Sequence, residues 1–182
     1  AIATRRNFNP DQYRNDPKEL DLIKLEDGIR IHEDTKVALE IYSRNTKKRL
    51  IRPFVLVVAK DTNHAKEIRT MIESDRFFEG RYKGKVIEVH SNQRGEEKEE
   101  NIQKLLDLEK LDNSVEIVVH VNMLKEGWDV TNLYTIIPLR AANSQILTEQ
   151  TIGRGLRLPY GARTGEEKVD KLTIIAHNRF QS

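Results

Sequence analysis

Cysteine is absent from the 182 residues. Its absence excludes disulfides and cysteine-ligated zinc, and fits a cytoplasmic location. No apolar run approaches the ~20 residues that a membrane-crossing helix needs. The longest clean run is Phe54 to Ala59, so no membrane partner is expected. No charged-then-apolar leader stands at the start. The first residues, Ala1-Ile2-Ala3-Thr4, read as the interior of a longer protein, and the chain is expected to be a piece of one. The net charge of +2 is too small to imply a nucleic-acid partner by itself, so any basic footprint must be local. With 37% apolar and 33% charged residues, the chain reads as a soluble, heavily charged globular protein. It is long enough for one domain with a sizeable core and an appendage.

Familiar chemical signatures are missing too. Gly80-Arg81-Tyr82-Lys83-Gly84-Lys85 resembles a phosphate loop, but it is one residue short, and Val86 stands where a Ser or Thr would hold magnesium. There is no GxGxxG fingerprint, no acidic pair placed to hold magnesium and no Gly-x-Ser-x-Gly elbow. The histidines, at 32, 64, 90, 120 and 177, are scattered, which suits ordinary core or surface roles better than metal ligation. Glu96-Glu97-Lys98 and Glu166-Glu167-Lys168 read as solvated charge rather than a nuclease centre.

What is present is an alternation of strands and helices. Residues 1–19, polar and broken by Pro10 and Pro17, predict an irregular arm. Residues 20–46 carry helical spacing in two patches, around Leu20 and Ile23 and around Val37 and Ile41. Gly28 lies between them, predicting one kinked helix or two short ones. Lys47-Lys48-Arg49 reads as a solvated basic turn, and a second domain is drawn from residue 50 to 182. There Phe54 to Ala59 is a continuous β-branched run, suited to a strand buried on both faces. Asp61 or Thr62 can cap a helix whose apolar face is Ala65, Ile68, Met71 and Ile72. Further strands are predicted at 86–89, 115–121, 133–138 and 172–176, with helices at about 95–111 and from about Ser144. This pattern predicts an α/β fold, a parallel sheet with helices on both faces in three layers. Ligands of such sheets bind beyond the carboxyl ends of the strands. Lys60, Ser91, Asn92, Asn122 and Lys125 all fall there.

Two clusters stand out. Lys125-Glu126-Gly127-Trp128-Asp129 places a glycine and a carboxylate at the sheet mouth. It suits either a ribose contact or a tight turn packed over Trp128. Gln150-Thr151-Ile152-Gly153-Arg154-Gly155-Leu156-Arg157 sets two arginines three apart beside two glycines. On a helix, both guanidiniums share one face and suit a polyphosphate; a solvated basic helix end is the plainer alternative.

The pattern Gln150-x-x-Gly153-Arg154-x-x-Arg157 resembles motif VI of superfamily 2 helicases, QxxGRxxR. Gly127-x-Asp129 resembles the core of their motif V, and Phe54 to Asp61 stands in the place of motif IV. Met123 to Val130 and Leu139 to Asn143 are most similar to the Res subunits of type III restriction enzymes. The resemblance implies the second RecA-like lobe of an ATP-dependent DNA translocase, with ATP and Mg2+ bound between two lobes and magnesium held by the first. By this resemblance, Arg157 and Arg154 reach the terminal phosphates, with Arg157 as the arginine finger. Gln150 positions water or phosphates, Gly127, Asp129 and Gly153 line the nucleotide, and Lys60, Ser91, Asn92, Asn122 and Lys125 contact the nucleic-acid backbone. Where many members carry a Thr or Ser before the motif V glycine, this chain has His120 to Met123, and Asn122 is the substitute donor. The implied partners are DNA, the N-terminal lobe of the same parent chain and a Mod-type methyltransferase subunit. The isolated piece is expected to be inactive. An RNA helicase or remodelling lobe, and a non-enzymatic RecA-like binding module, are the competing readings.

Overall fold

The computed structural model describes residues 2–8 (backbone only), 17–90, 114–121, 132–139, 160 and 163–177. The strands among them are β1 (Ile2–Phe8), β2 (Phe54–Val58), β3 (Val86–His90), β4 (Ile117–Val121), β5 (Leu133–Pro138) and β6 (Lys171–His177). They form one sheet in the order β1-β6-β5-β2-β4-β3, and every pairing is parallel. The long helices described are α1 (Pro17–Thr46) and α2 (Thr62–Ile72). The helices predicted at 95–111 and from Ser144 lie outside the described residues.

The continuous apolar runs became strands buried on both faces. Val55, Val57, Val119 and Ile137 point to one side and join Leu25 and Ile29 of α1 and Ala65, Ile68 and Ile72 of α2 in one core. Phe54, Leu56, Val58, Val118, Ile136 and Ile174 point to the other and form a second buried cluster. Adjacent residues alternate between the two because the strand period is 2. The alternation breaks once. Phe54 pairs with Leu133 and Val55 with Thr135, so Tyr134 is the extra residue of a bulge. It packs with Leu39 and Tyr42 of α1, and its hydroxyl donates to the Val169 carbonyl at 2.7 Å.

Two expectations for the first 46 residues need correction. Ile2–Phe8 is not irregular; it is an edge strand paired with β6. Residues 17–46 are one uninterrupted helix, with neither the kink nor the break expected near Gly28. Pro17 takes the first helical position, where its missing N–H costs nothing. The buried stripe of α1 is Lys24, Leu25, Gly28, Ile29, His32, Thr35, Leu39 and Tyr42. Val37 and Ile41, half of the apolar spacing in the sequence, are instead 54% and 50% exposed.

Gly28 belongs to that stripe because α1 lies close on β5. A Cβ built there would fall 2.7 Å from Ile137 Cγ1 and closer still to its Cδ1. Gly28→Ala is therefore expected to destabilise despite alanine's helix preference. Overpacking costs about 1–3 kcal/mol against a propensity gain of about 1 kcal/mol. Urea unfolding checks this. Ile137→Val, which removes the Cδ1 methyl, should recover part of the loss in the double variant.

Candidate functional site

In a parallel sheet every strand leaves at the same end, so the exits of β2, β4 and β5, the three central neighbours, lie together. Hydrogen bonds carry the pairing past the strand ends. Ala59 N–H donates to the His120 carbonyl at 3.0 Å, and Leu139 N–H donates to that of Val58 at 2.9 Å. The β2 exit then turns at once into α2. Asp61 is the N-cap, and its carboxylate accepts the His64 N–H at 2.8 Å. Of the two cap candidates, aspartate takes the role because its side chain reaches an amide of the first turn.

His64 is buried beneath this turn and uses both ring nitrogens. Nδ1 accepts the Lys60 N–H at 3.0 Å, so Nε2 carries the proton and faces Asp21 Oδ2 of α1 at 2.8 Å. One turn along α1, Lys24 is 4% exposed and its Nζ donates to the Pro138 carbonyl, the last of β5, at 3.4 Å. Burial pushes the Lys24 ammonium down to about 8, while Asp21 pulls the other way. The Lys60 side chain is exposed at the mouth. Lys60 therefore occupies the strand-end position expected of it. Ser91, Asn92, Asn122, Lys125, Gly127, Asp129, Gln150, Gly153, Arg154 and Arg157 lie outside the described residues. The described strands β3, β4 and β5 lead into those segments from the carboxyl edge of the sheet.

Asp21, Lys24 and His64 were not singled out from the sequence for any role at this mouth. One signal was available, a lysine at the same helical spacing as the close-approach glycine, at Lys24 and Gly28. Among the described residues no cluster of three His, Cys, Asp or Glu could hold a metal, and no helix is long and apolar enough to cross a membrane.

The opposite end of the sheet carries a different polar cluster. Glu116, just before β4, is buried and meets three cationic or hydrogen-bonding groups. His32 Nε2 is at 2.9 Å, Lys36 Nζ at 2.8 Å and Lys85 Nζ at 3.0 Å. Burial alone would raise the Glu116 carboxyl, but these three partners outweigh it and hold it well below the usual carboxylate range. Burial holds His32 below its ordinary value, against the pull of Glu116, so the neutral imidazole donates from Nε2. The cations of the false phosphate loop are likewise committed: Arg81 to Glu33, Lys83 to Asp75 and Lys85 to Glu116. They brace α1 and the β3 approach at the end of the sheet away from the strand exits.

Residues 37–159 match the family model of the helicase conserved C-terminal domain. The chain belongs to that family. The matched span runs from the second half of α1 through β5 and includes Gly127, Asp129 and the Gln150 to Arg157 stretch. The chain is also similar to the Res subunit of the type III restriction-modification enzyme EcoPI of Escherichia phage P1, at 31% identity over 102 residues. That match covers 48% of this chain and 10% of the relative, so the chain spans about a tenth of that protein's length. Among solved structures it is similar to T4 UvsW, with 20% identity, 97% of this chain and 32% of that one covered, and a TM-score of 0.48. It is also similar to domain 2 of the DEAD-box helicase Mss116p bound to an RNA duplex, with 12% identity, 97% and 54% covered, and a TM-score of 0.45. The α/β class expected from the sequence, a RecA-like parallel sheet, is the fold of this helicase C-terminal domain.

Proposed function

We propose that this chain is the C-terminal motor lobe of an ATP-dependent DNA translocase of the type III restriction Res kind, contributing half of an ATP site that a first lobe of the parent protein completes. The observation that carries this reading is the family membership, with Gln150-x-x-Gly153-Arg154-x-x-Arg157 inside the matched span. The likeness to the Res subunit of a type III restriction-modification enzyme supports the restriction-modification setting of this reading; the DNA-translocating form and a Mod-type partner are what that setting implies. The donor set suits a nucleotide by its chemistry. Two guanidiniums offer planar forks for phosphate oxygens, and a glycine between flanking side chains lets backbone amides approach. A carboxylate such as Asp129 is an acceptor for ribose hydroxyls. Bound ATP with Mg2+ would supply the phosphoryl group and the energy of its hydrolysis.

In this reading Arg154 and Arg157 neutralise charge building on the terminal phosphates, and Gln150 orients the attacking water or the phosphates. Gly127, Gly153 and Asp129 line the nucleotide. Lys60 at the β2 exit, with Ser91, Asn92, Asn122 and Lys125, which follow β3 and β4 in sequence, would grip phosphates and sugars and hold a strand without reading its sequence. Magnesium belongs to the first lobe. Closure on ATP and opening after hydrolysis then move the strand stepwise.

The test is ATP turnover by the full-length parent with duplex DNA, with RNA or with no polymer. Stimulation by duplex DNA is the expected result. Stimulation by RNA alone would overturn the DNA reading in favour of an RNA helicase lobe, and no turnover under any condition would leave a binding module.

A further inference from the structure

We propose that Asp21 and Lys24, in the first turns of α1, are positioning residues that tie the β2 exit bearing Lys60 to the neighbouring β5 exit, so that a polymer held at one is felt at the other. The inference rests on the motor-lobe reading and extends it to a part of the chain that precedes the family match at residues 37–159.

The geometry has two arms. In the first, Asp21 Oδ2 receives Nε2–H of His64 at 2.8 Å, and His64 Nδ1 receives the Lys60 N–H at 3.0 Å. The imidazole is thus a rigid spacer between a carboxylate on α1 and the backbone of the residue that points its ammonium outward. Each nitrogen's role is fixed, because a backbone amide can only donate. In the second arm, Lys24 Nζ reaches the Pro138 carbonyl at 3.4 Å, three residues along the same helix. Residues three apart share a helix face, so one face of α1 grips both exits. The exits are themselves joined by the Leu139 to Val58 hydrogen bond.

A buried lysine is an expensive way to pack a helix on a sheet. Its ammonium is disfavoured there, and an apolar side chain of similar length would stabilise the fold better. A buried lysine bonded to the last carbonyl of β5, with Asp21 as the nearby opposing charge, suits a positional role better than a packing one.

The experiment uses the full-length parent, linear duplex DNA and steady-state ATP turnover. Asp21→Ala is expected to raise the DNA concentration for half-stimulation by about 10-fold, the scale of small misplacements at a working site. Turnover without DNA should stay unchanged, and Asp21→Asn, which still accepts from His64, should restore most of the loss. In a Lys60→Ala background Asp21→Ala should add nothing, because both act on one contact. Lys24→Met should fold at least as stably and yet lower DNA-stimulated turnover by about 10-fold on the same scale. It keeps the inference testable should Asp21→Ala fail to fold. Wild-type stimulation that depends on Arg157, combined with additive effects of Asp21→Ala and Lys60→Ala or full turnover by Lys24→Met, would overturn this inference and leave the motor-lobe reading intact. Absence of any Arg157-dependent turnover in the wild type would overturn the reading beneath it.

Discussion

On the motor-lobe reading, Arg157→Ala in the parent protein is expected to lower DNA-stimulated ATP turnover by about 10³–10⁵-fold, the scale of a lost arginine finger in phosphoryl transfer. In energy this is about 4–7 kcal/mol of transition-state stabilisation. The loss should fall on the rate constant and largely spare ATP affinity, because the finger meets charge that develops only as the phosphoryl group departs. Arg157→Lys should rescue little, since a point charge does not replace a planar fork that spans two oxygens. Single-turnover rates and nucleotide titration, measured on the same variants, separate the two effects. An unchanged rate would make Gln150 to Arg157 a structural helix end.

Glu116→Ala should be strongly destabilising. Breaking a buried ion pair by removing one partner costs about 3–5 kcal/mol. The lower end, about 3 kcal/mol, is expected here on that scale, because Lys36 and Lys85 are 31% and 34% exposed and can turn to water. His32, fully buried, cannot, and keeps a donor without an acceptor. The same cluster sets an acid sensitivity. Glu116 sits below its usual range when folded, so its stabilisation is complete above the ordinary carboxylate value of 4.5 and drains away as pH falls below it. His32 is also held below its ordinary 6.5, so the unfolded chain takes up that proton first and stability begins to fall below 6.5. Both groups therefore act with the same sign. Denaturant midpoints across pH 3.5–7.5 should decline on acidification in the wild type. In Glu116→Gln the fall below 4.5 should be shallower.

The sheet centre was legible because β2 and β4 are continuous, mostly apolar runs rich in β-branched residues, and both are buried at every position. The edge strand β1 was not legible. Ile-Ala-Thr-Arg-Arg-Asn-Phe is a polar stretch with adjacent arginines, and among the described strands it pairs only with β6. Helix α1 was misleading at its midpoint for a physical reason. Its buried stripe includes a lysine and a histidine partnered by residues distant in the chain, a threonine bonded back to the Ile31 carbonyl and a glycine pressed on Ile137, while Val37 and Ile41 face outward. At the strand exits, Lys60 could be placed from the end of a predicted strand. The Asp21–His64 contact could not, because the partners are 43 residues apart and no periodicity encodes a meeting of two helices over a turn. Glu116 and His32, 84 residues apart, pose the same problem at the other end.

The claim that this chain supplies half of an ATP site is tested most directly by comparing ATP turnover of the pure 182-residue chain with that of its full-length parent. The account predicts duplex-DNA-stimulated turnover in the parent and none in the 182-residue chain, with or without DNA. Turnover in the pure chain that disappears in Arg157→Ala would contradict it, because a complete ATP site would then reside in this lobe alone.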